Sequence, residues 1–222
     1  MPELDVSGII VNILTRLVST SESNGPNLNV LAKKNLGETL IRCIQHYKAE
    51  SMTNLSLSNA LYLQRIDDAT VNAMVLLNRI SKYDSKIAFI ARLSGAVPMI
   101  IDCAKRWCDK KDYTSMIVSI NLLRTLGSKN ENNLSTLQKS STIYSVFESS
   151  IQISASNFKL ESVLDLIAVV AKSSTPHFLL RIFFHGATET LWYQIFFGAL
   201  YIILGMHPTS SSKDITRNDQ LQ

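Results

Sequence analysis

The sequence predicts an all-α fold, an α-solenoid of about four stacked three-helix repeats that ends in a divergent apolar C-terminal segment. Apolar residues recur at spacings of three and four through most of the chain, the pattern of amphipathic helices. Only eight Gly and five Pro occur in 222 residues, which favours long helices over the many tight turns of a β-sandwich or barrel. Small residues suited to a sharp corner recur at intervals near 45 residues, a length typical of armadillo and HEAT units.

The repeat length follows from two series of positions. The predicted corners are Gly37, Gly95, Ser141 and Gly186, which lie 58, 46 and 45 residues apart. The third helices of the units are predicted to end near Ser81, Ser128 and Ser173, which lie 47 and 45 residues apart. The longer first interval is assigned to an irregular insertion over residues 48–65. A corner at Ser141 is expected to differ from the glycine corners, because glycine adopts a positive φ more readily.

The clearest unit runs from Ser85 to Ser128, and the other elements are predicted around it. In this unit a short apolar helix turns at Gly95 into a second helix, and the charged segment 109–112 leads into a third. The other predicted helices cover residues 5–19, 28–36, 38–47, 67–81, 130–139, 143–153 and 158–172, with a loop at 19–27. The predicted domain organisation is therefore a repeat domain at 1–174, an apolar aromatic segment at 175–206 and a disordered tail at 207–222.

The apolar segment ends in a stretch with two interpretations. From Leu191 to Met206 only Gln194 is strongly polar. These 16 residues fall just short of the roughly 17–25 that usually span a bilayer. A buried last repeat is the favoured interpretation, and a membrane tail anchor through Leu191–Met206 is the alternative.

Charge and cysteine content favour a cytoplasmic protein that does not bind nucleic acid. The net charge is only +4, and the densest basic cluster, Lys105-Arg106 with Lys110-Lys111, is interpreted as a solvated face. The three cysteines form no pairable framework, which is typical of free thiols in a reducing compartment. The first twenty residues lack the basic-then-apolar layout of a signal peptide.

The sequence offers little for catalysis. His46 and Glu50, and His185 and Glu189, are each four residues apart, so each pair can share a helical face. A zinc site needs three or four converging ligands, and neither pair has a third at a useful spacing. Phosphate-binding loops and nucleophile elbows are absent from the sequence. We therefore predict a non-enzymatic protein that uses no cofactor and no metal.

Polar residues near the ends of the third helices are the candidate binding residues. In a stack of this kind the third helices line a groove. The candidate groove residues are Arg16, Asn78, Arg79, Asn121, Arg124 and Lys172. Basic and amide side chains in such a groove would bind an acidic or extended peptide through its carboxylates and main chain. The alternative is that cations near a helix C-terminus only stabilise the helix dipole.

Three segments carry a resemblance to a known family. Residues 66–106, the run 120–128 and the run 164–173 resemble the N-terminal armadillo-like region of the larger cytosolic carboxypeptidases. The matching features are an Ala-Arg-x-x-Gly-Ala corner at 91–96, a Leu-Leu-Arg run at 122–124 and an Ala-x-x-x-Lys-Ser end at 168–173. The resemblance covers roughly residues 8–173, and beyond Ser173 the sequence departs from the family pattern.

The resemblance implies a scaffold and not an active site. The enzymes of this family are zinc metallopeptidases that remove glutamates from tubulin tails, and their His-x-x-Glu motif lies in a separate, later domain. No His-x-x-Glu occurs in this sequence, so no zinc or catalytic residue is carried over. We therefore expect a non-catalytic interaction module, from a fragment or splice form of such a protein, that binds tubulin or a regulatory protein. An unrelated armadillo or HEAT adaptor and a tail-anchored membrane protein are the alternatives.

Overall fold

The chain is all-helical wherever its structure is described. The computed structural model describes residues 35–53, 60–153 and 160–172, together with the single residues 10, 13 and 30. The helices are α1 (Leu36–Thr53), α2 (Ala60–Ile80), α3 (Lys86–Leu93), α4 (Ala96–Asp109), α5 (Tyr113–Ser128), α6 (Glu131–Lys139), α7 (Ser141–Ile153) and α8 (Leu160–Lys172). These residues contain no β-strand, which confirms the all-α prediction for them.

Several predictions concern residues outside the described ranges. These are the helix over 5–19, the loop at 19–27, most of the helix over 28–36, the apolar segment 175–206 and the tail 207–222. The possible membrane anchor, Leu191–Met206, belongs to this group. Among the described helices none is long and apolar enough to cross a membrane alone. Taken together, α3 and α4 are long and apolar enough to span a membrane, judged by length and composition alone, but they form a pair bent by 82°.

The corners of the central unit lie where the sequence predicts them. Gly95 separates α3 from α4 with φ +67°, a left-handed conformation that glycine adopts without steric cost. Asp112 caps α5, because its carboxylate accepts a hydrogen bond from the Ser115 N–H at 3.2 Å. Between α6 and α7 the chain turns at Ser140, whose φ of −81° and ψ of 112° are extended, and the predicted corner residue Ser141 is instead the first residue of α7. The prediction that this corner differs from the glycine corners is confirmed.

The first corner was predicted at the wrong residue. Gly37 lies inside the first turn of α1, and the left-handed residue is Asn35, with φ +58°. Asparagine tolerates this conformation better than most residues, so it replaces glycine at the corner. Gly37 is needed for a different reason. A Cβ there would lie 2.6 Å from Cδ1 and 2.7 Å from Cγ1 of Ile87 on α3.

We expect Gly37→Ala to lower the free energy of unfolding by about 1 kcal/mol. Overpacking against Ile87 costs about 1–3 kcal/mol, and the better helix propensity of alanine returns about 1 kcal/mol. Urea denaturation measures the change. In an Ile87→Val background, which lacks Cδ1, the same substitution should cost less. A stabilising Gly37→Ala in the wild-type background would contradict this account of the contact.

The insertion predicted over residues 48–65 is largely helical. Helix α1 continues to Thr53 and α2 begins at Ala60, so the extra length lies mainly in longer helices. α1 has 18 residues and α2 has 21, against 14 and 16 for α4 and α5. Tyr47 and Ile66 are fully buried and form a small core cluster with Ala69. Burial against the neighbouring helix stabilises a segment whose own apolar periodicity is weak.

The helix packing repeats every three helices along the chain. Each of the helices α1 to α5 contacts the helix three places later, so that α1 packs on α4, α2 on α5, α3 on α6, α4 on α7 and α5 on α8. Most consecutive helices also pack, most closely α1 with α2 and α4 with α5. One continuous apolar cluster extends from Leu40 to Val170 through all eight helices. Helices three places apart in the chain therefore lie side by side, and α2, α5 and α8 form one layer.

Candidate functional site

A polar row crosses the layer formed by α2, α5 and α8. It consists of Asn78 on α2, Asn121, Arg124 and Thr125 on α5, and Asp165 on α8, and we call it the third-helix row. Because the three residues on α5 are spaced by three and four positions, they share one face of that helix. All five are partly exposed, between the buried residues of the layer and solvent.

Two contacts hold the third-helix row together. The Thr125 hydroxyl donates to Oδ1 of Asn78 at 2.6 Å and also lies 3.0 Å from the carbonyl oxygen of Asn121. Arg124 donates through Nη1 to a carboxylate oxygen of Asp165 and forms an ion pair with it. These contacts join α2 to α5 and α5 to α8 on the same side of the layer.

The polar groups of the third-helix row differ in whether they already bind another side chain of the protein. The side chains of Arg124 and Asp165 are 38% and 29% exposed, so a carboxylate from a partner can reach Arg124 but must compete with Asp165. The carboxamide of Asn121 makes no hydrogen bond to any residue in the described ranges. An amide both donates and accepts, which suits it to the main chain of an extended peptide.

The other predicted groove residues are placed as follows. Arg79 is partly exposed in the last turn of α2, next to Asn78. Lys172 is the last residue of α8, and the position of its side chain falls outside the described part of the chain. Arg16 lies outside the described residues altogether. The structure thus brings Asn78, Asn121 and Arg124 onto adjoining helices of one layer.

Asp165 is a member of the row that no pattern in the sequence indicates. It lies 41 residues from Arg124, on a helix whose register against α5 depends on tertiary packing. Thr125 was also missed, although its position four residues after Asn121 on a predicted helix was a usable signal. Local spacing identified the α5 residues, and only the fold identified their partners.

The basic cluster of α4 is largely neutralised within the protein. Asp67 of α2 accepts from Arg106 at 2.6 Å and from Lys110 at 2.8 Å, and its side chain is only 17% exposed. Lys105 pairs with Asp109 one turn further along α4. The interpretation as a solvated face therefore misses Asp67, which lies 39 residues from Arg106 in sequence. These ion pairs join α2 to α4.

Burial lowers the reactivity expected of the three cysteines, and most of all that of Cys103. All three are free, and burial raises the pKa of Cys103 to about 11 and also raises the pKa of Cys43 and of Cys108. The thiolate is the nucleophile, so a raised pKa lowers reactivity near neutral pH. No group of three or more His, Cys, Asp or Glu side chains in the described ranges could share a metal ion.

We expect iodoacetamide at pH 8 to alkylate native Cys103 far more slowly than the unfolded chain. With a pKa of about 11, only about one Cys103 thiol in a thousand is ionised at pH 8, and the thiol is also buried. Cys43, which is partly exposed, should react first. Mass spectrometry of timed samples in buffer and in urea measures the rates. Equal rates for Cys103 in both conditions would contradict its burial.

No protein-family model, curated protein or solved structure matches this chain. The resemblance to the cytosolic carboxypeptidases therefore depends on the quoted sequence segments alone.

Proposed function

We propose that the chain is a non-catalytic protein-interaction module, an armadillo-like α-solenoid of about four repeats that binds a protein segment along its third helices. The observation that carries the proposal is the third-helix row, a partly exposed polar row across three adjoining helices of one layer. Binding along such a row requires no catalytic group and no cofactor.

A repeating burial pattern supports the solenoid. The buried residues Ile87, Ala88 and Ala91 of α3 recur 46 residues later as Asn133, Leu134 and Leu137 of α6. In the third-helix layer, the buried residues Ala69, Met116 and Val163 are each 47 residues apart, as are Ala73, Ile120 and Ile167. Helices that repeat both their neighbours and their buried faces are typical of solenoid repeats.

The interval of 47 residues also separates three polar residues of the third helices. Asn78, Thr125 and Lys172 are each 47 residues apart, so they occupy one register position in α2, α5 and α8. Repeated positions of this kind present regularly spaced polar groups, which match the repeating main-chain groups of an extended peptide. Arg79 and Arg124 add positive charge beside this line, which favours an acidic segment.

The resemblance to the cytosolic carboxypeptidases suggests a binding partner and a cellular location. Of the segments that carry the resemblance, Ala91–Ala96 includes the left-handed corner at Gly95, and Leu122–Arg124 contributes Arg124 to the third-helix row. On this proposal the module is cytoplasmic and positions tubulin, or a regulatory protein, for an enzyme. The glutamate-rich tails of tubulin have the acidic, extended chemistry that the row is suited to bind.

The proposal predicts that the full chain retains polyglutamylated tubulin in a pull-down and that Arg79→Ala/Arg124→Ala weakens retention. Arg124→Ala removes a cation and leaves Asp165 unpaired in the row, so an acidic tail is repelled. Arg42→Ala is the control, because Arg42 is an exposed arginine of α1 that, among the described residues, pairs with Glu38 one turn away on the same helix.

The outcomes separate the versions of the proposal. Retention that is lost in the double variant and kept in Arg42→Ala supports the groove. Equal absence of polyglutamylated and unmodified tubulin from the bound fraction would exclude tubulin as the partner. Retention by the double variant at the wild-type level would exclude the groove.

A further inference from the structure

Helix α3 exposes two large apolar side chains on one face. Phe89 and Leu93 are 50% and 68% exposed, and their spacing of four residues places them on the same side of the helix. Lys86 and Arg92, both exposed, lie on the same side. We call these four residues the α3 outer face. Single exposed apolar residues are common, but two neighbours on an eight-residue helix form a continuous apolar strip.

The equivalent helix of the next unit provides an internal comparison. The buried residues of α3 and α6 align with an offset of 46 residues. In this alignment Phe89 corresponds to Ser135 and Leu93 corresponds to the exposed Lys139. The fold therefore tolerates polar residues at both positions, and packing within the chain does not require the apolar pair. Packing in the described core therefore does not explain why Phe89 and Leu93 are apolar.

The charge around the strip indicates what would cover it. Residues 82–93 contain three cations, Lys82, Lys86 and Arg92, and one carboxylate, Asp84. None of these cations forms an ion pair with a residue in the described ranges. An apolar strip flanked by unpaired cations is complementary to an apolar strip flanked by acids.

The width of the strip favours a helix over a lipid surface. It is one helix wide, and the outer side of the adjoining α6 is polar, with Glu131, Asn132 and Lys139 exposed. A flat anionic bilayer would press on α6 as well and would bring Glu131 against like charge. A single amphipathic helix covers α3 and leaves α6 in water.

We propose that the α3 outer face docks an acidic amphipathic helix of a partner protein, with Phe89 and Leu93 as the apolar anchors and Lys86 and Arg92 as the flanking charges. This surface lies on a different helix from the third-helix row, whose residues lie on α2, α5 and α8. The module would then have two binding surfaces, one for an extended segment and one for a helix.

The test uses defined peptides and the full chain. The probe is a fluorescent 18-residue helical peptide that carries leucines at helical spacing and glutamates on both flanks. One control peptide has the same composition with the leucines scrambled off a common face, and another has lysine in place of glutamate. The protein variant is Phe89→Ser/Leu93→Lys, which installs the residue types that α6 has at these positions. A second variant, Lys86→Glu/Arg92→Glu, reverses the charge.

The expected results follow from the two kinds of contact. The wild-type chain should bind the acidic peptide at least tenfold more tightly than the scrambled one. Phe89→Ser/Leu93→Lys should weaken that binding at least tenfold, and Lys86→Glu/Arg92→Glu should transfer the preference to the lysine peptide. Both variants change exposed residues only, so circular dichroism should show unchanged helicity.

Two results would overturn the proposal. One is equal affinity of the wild-type chain and the apolar-pair variant for the acidic peptide. The other is capture of the wild-type chain by vesicles of phosphatidylserine and phosphatidylcholine, with capture lost in the apolar-pair variant while peptide binding stays the same. In that case the face would bind lipid and not a helix.

Discussion

Replacing Trp107 with alanine is expected to lower the free energy of unfolding by about 3–5 kcal/mol, the usual cost of removing a buried tryptophan. Trp107 is fully buried in α4 and is one of the largest side chains in the core. Helix α4 packs on α1, α5 and α7, so a cavity there weakens contacts with several other helices. Urea denaturation followed by circular dichroism measures the loss.

A matched variant separates volume from hydrogen bonding. The indole N–H of Trp107 is buried and has no hydrogen-bond partner among the described residues. Trp107→Phe therefore loses some volume but no hydrogen bond, and we expect a cost of about 1–2 kcal/mol. A cost as large as that of Trp107→Ala would contradict this description of the site.

Asn133→Asp should be the most damaging change that keeps the size of the side chain. Asn133 is 1% exposed, and its amide nitrogen donates to the carbonyl oxygens of Ala88 at 2.8 Å and Leu126 at 3.2 Å. An ionised carboxylate would place its charge against two acceptors in a buried site. We expect a loss of at least about 3 kcal/mol at pH 7, as for other uncompensated buried charges.

The pH dependence of this variant has a definite sign. Burial and the two carbonyl oxygens raise the folded-state pKa of the introduced carboxyl above its unfolded value of about 3.9. The variant is therefore least stable, relative to wild type, at high pH, and the deficit shrinks as the pH falls through the folded-state pKa. Denaturation of both proteins from pH 4 to 8 measures this trend, with Asn133→Leu as an uncharged control. A deficit that is constant with pH would contradict it.

The sequence identifies features of the fold that depend on local chemistry. The sequence predicts the corner at Gly95 because glycine adopts a positive φ, and Asp112, the last residue of the predicted charged segment, caps the next helix. The first corner was misplaced because Asn35 also tolerates a left-handed conformation, while Gly37 serves a contact with Ile87. That contact joins residues 50 positions apart, and periodicity within one helix contains no information about it.

In the candidate site, too, local features could be predicted from the sequence, whereas contacts between helices could not. Asn121 and Arg124 were recognised as candidates because both lie near the end of a predicted helix. The engagement of Arg124 by Asp165 and of Asn78 by Thr125 depends on how α2, α5 and α8 are stacked. The pairing of Arg106 and Lys110 with Asp67 depends in the same way on the contact between two helices. Side-chain partners across layers follow from packing, so the sequence alone could not assign them.

The most direct test of the groove is a titration of a fluorescent, extended glutamate-rich peptide against the wild-type chain, Asn121→Ala and Asn132→Ala. Both variants replace an asparagine in a helix, but Asn121 lies in the third-helix row and Asn132 on the outer side of α6. We predict that Asn121→Ala weakens binding about tenfold, as for the loss of one or two hydrogen bonds, and that Asn132→Ala has no effect. Equal affinities for all three proteins would contradict the assignment of the third-helix row as the binding site.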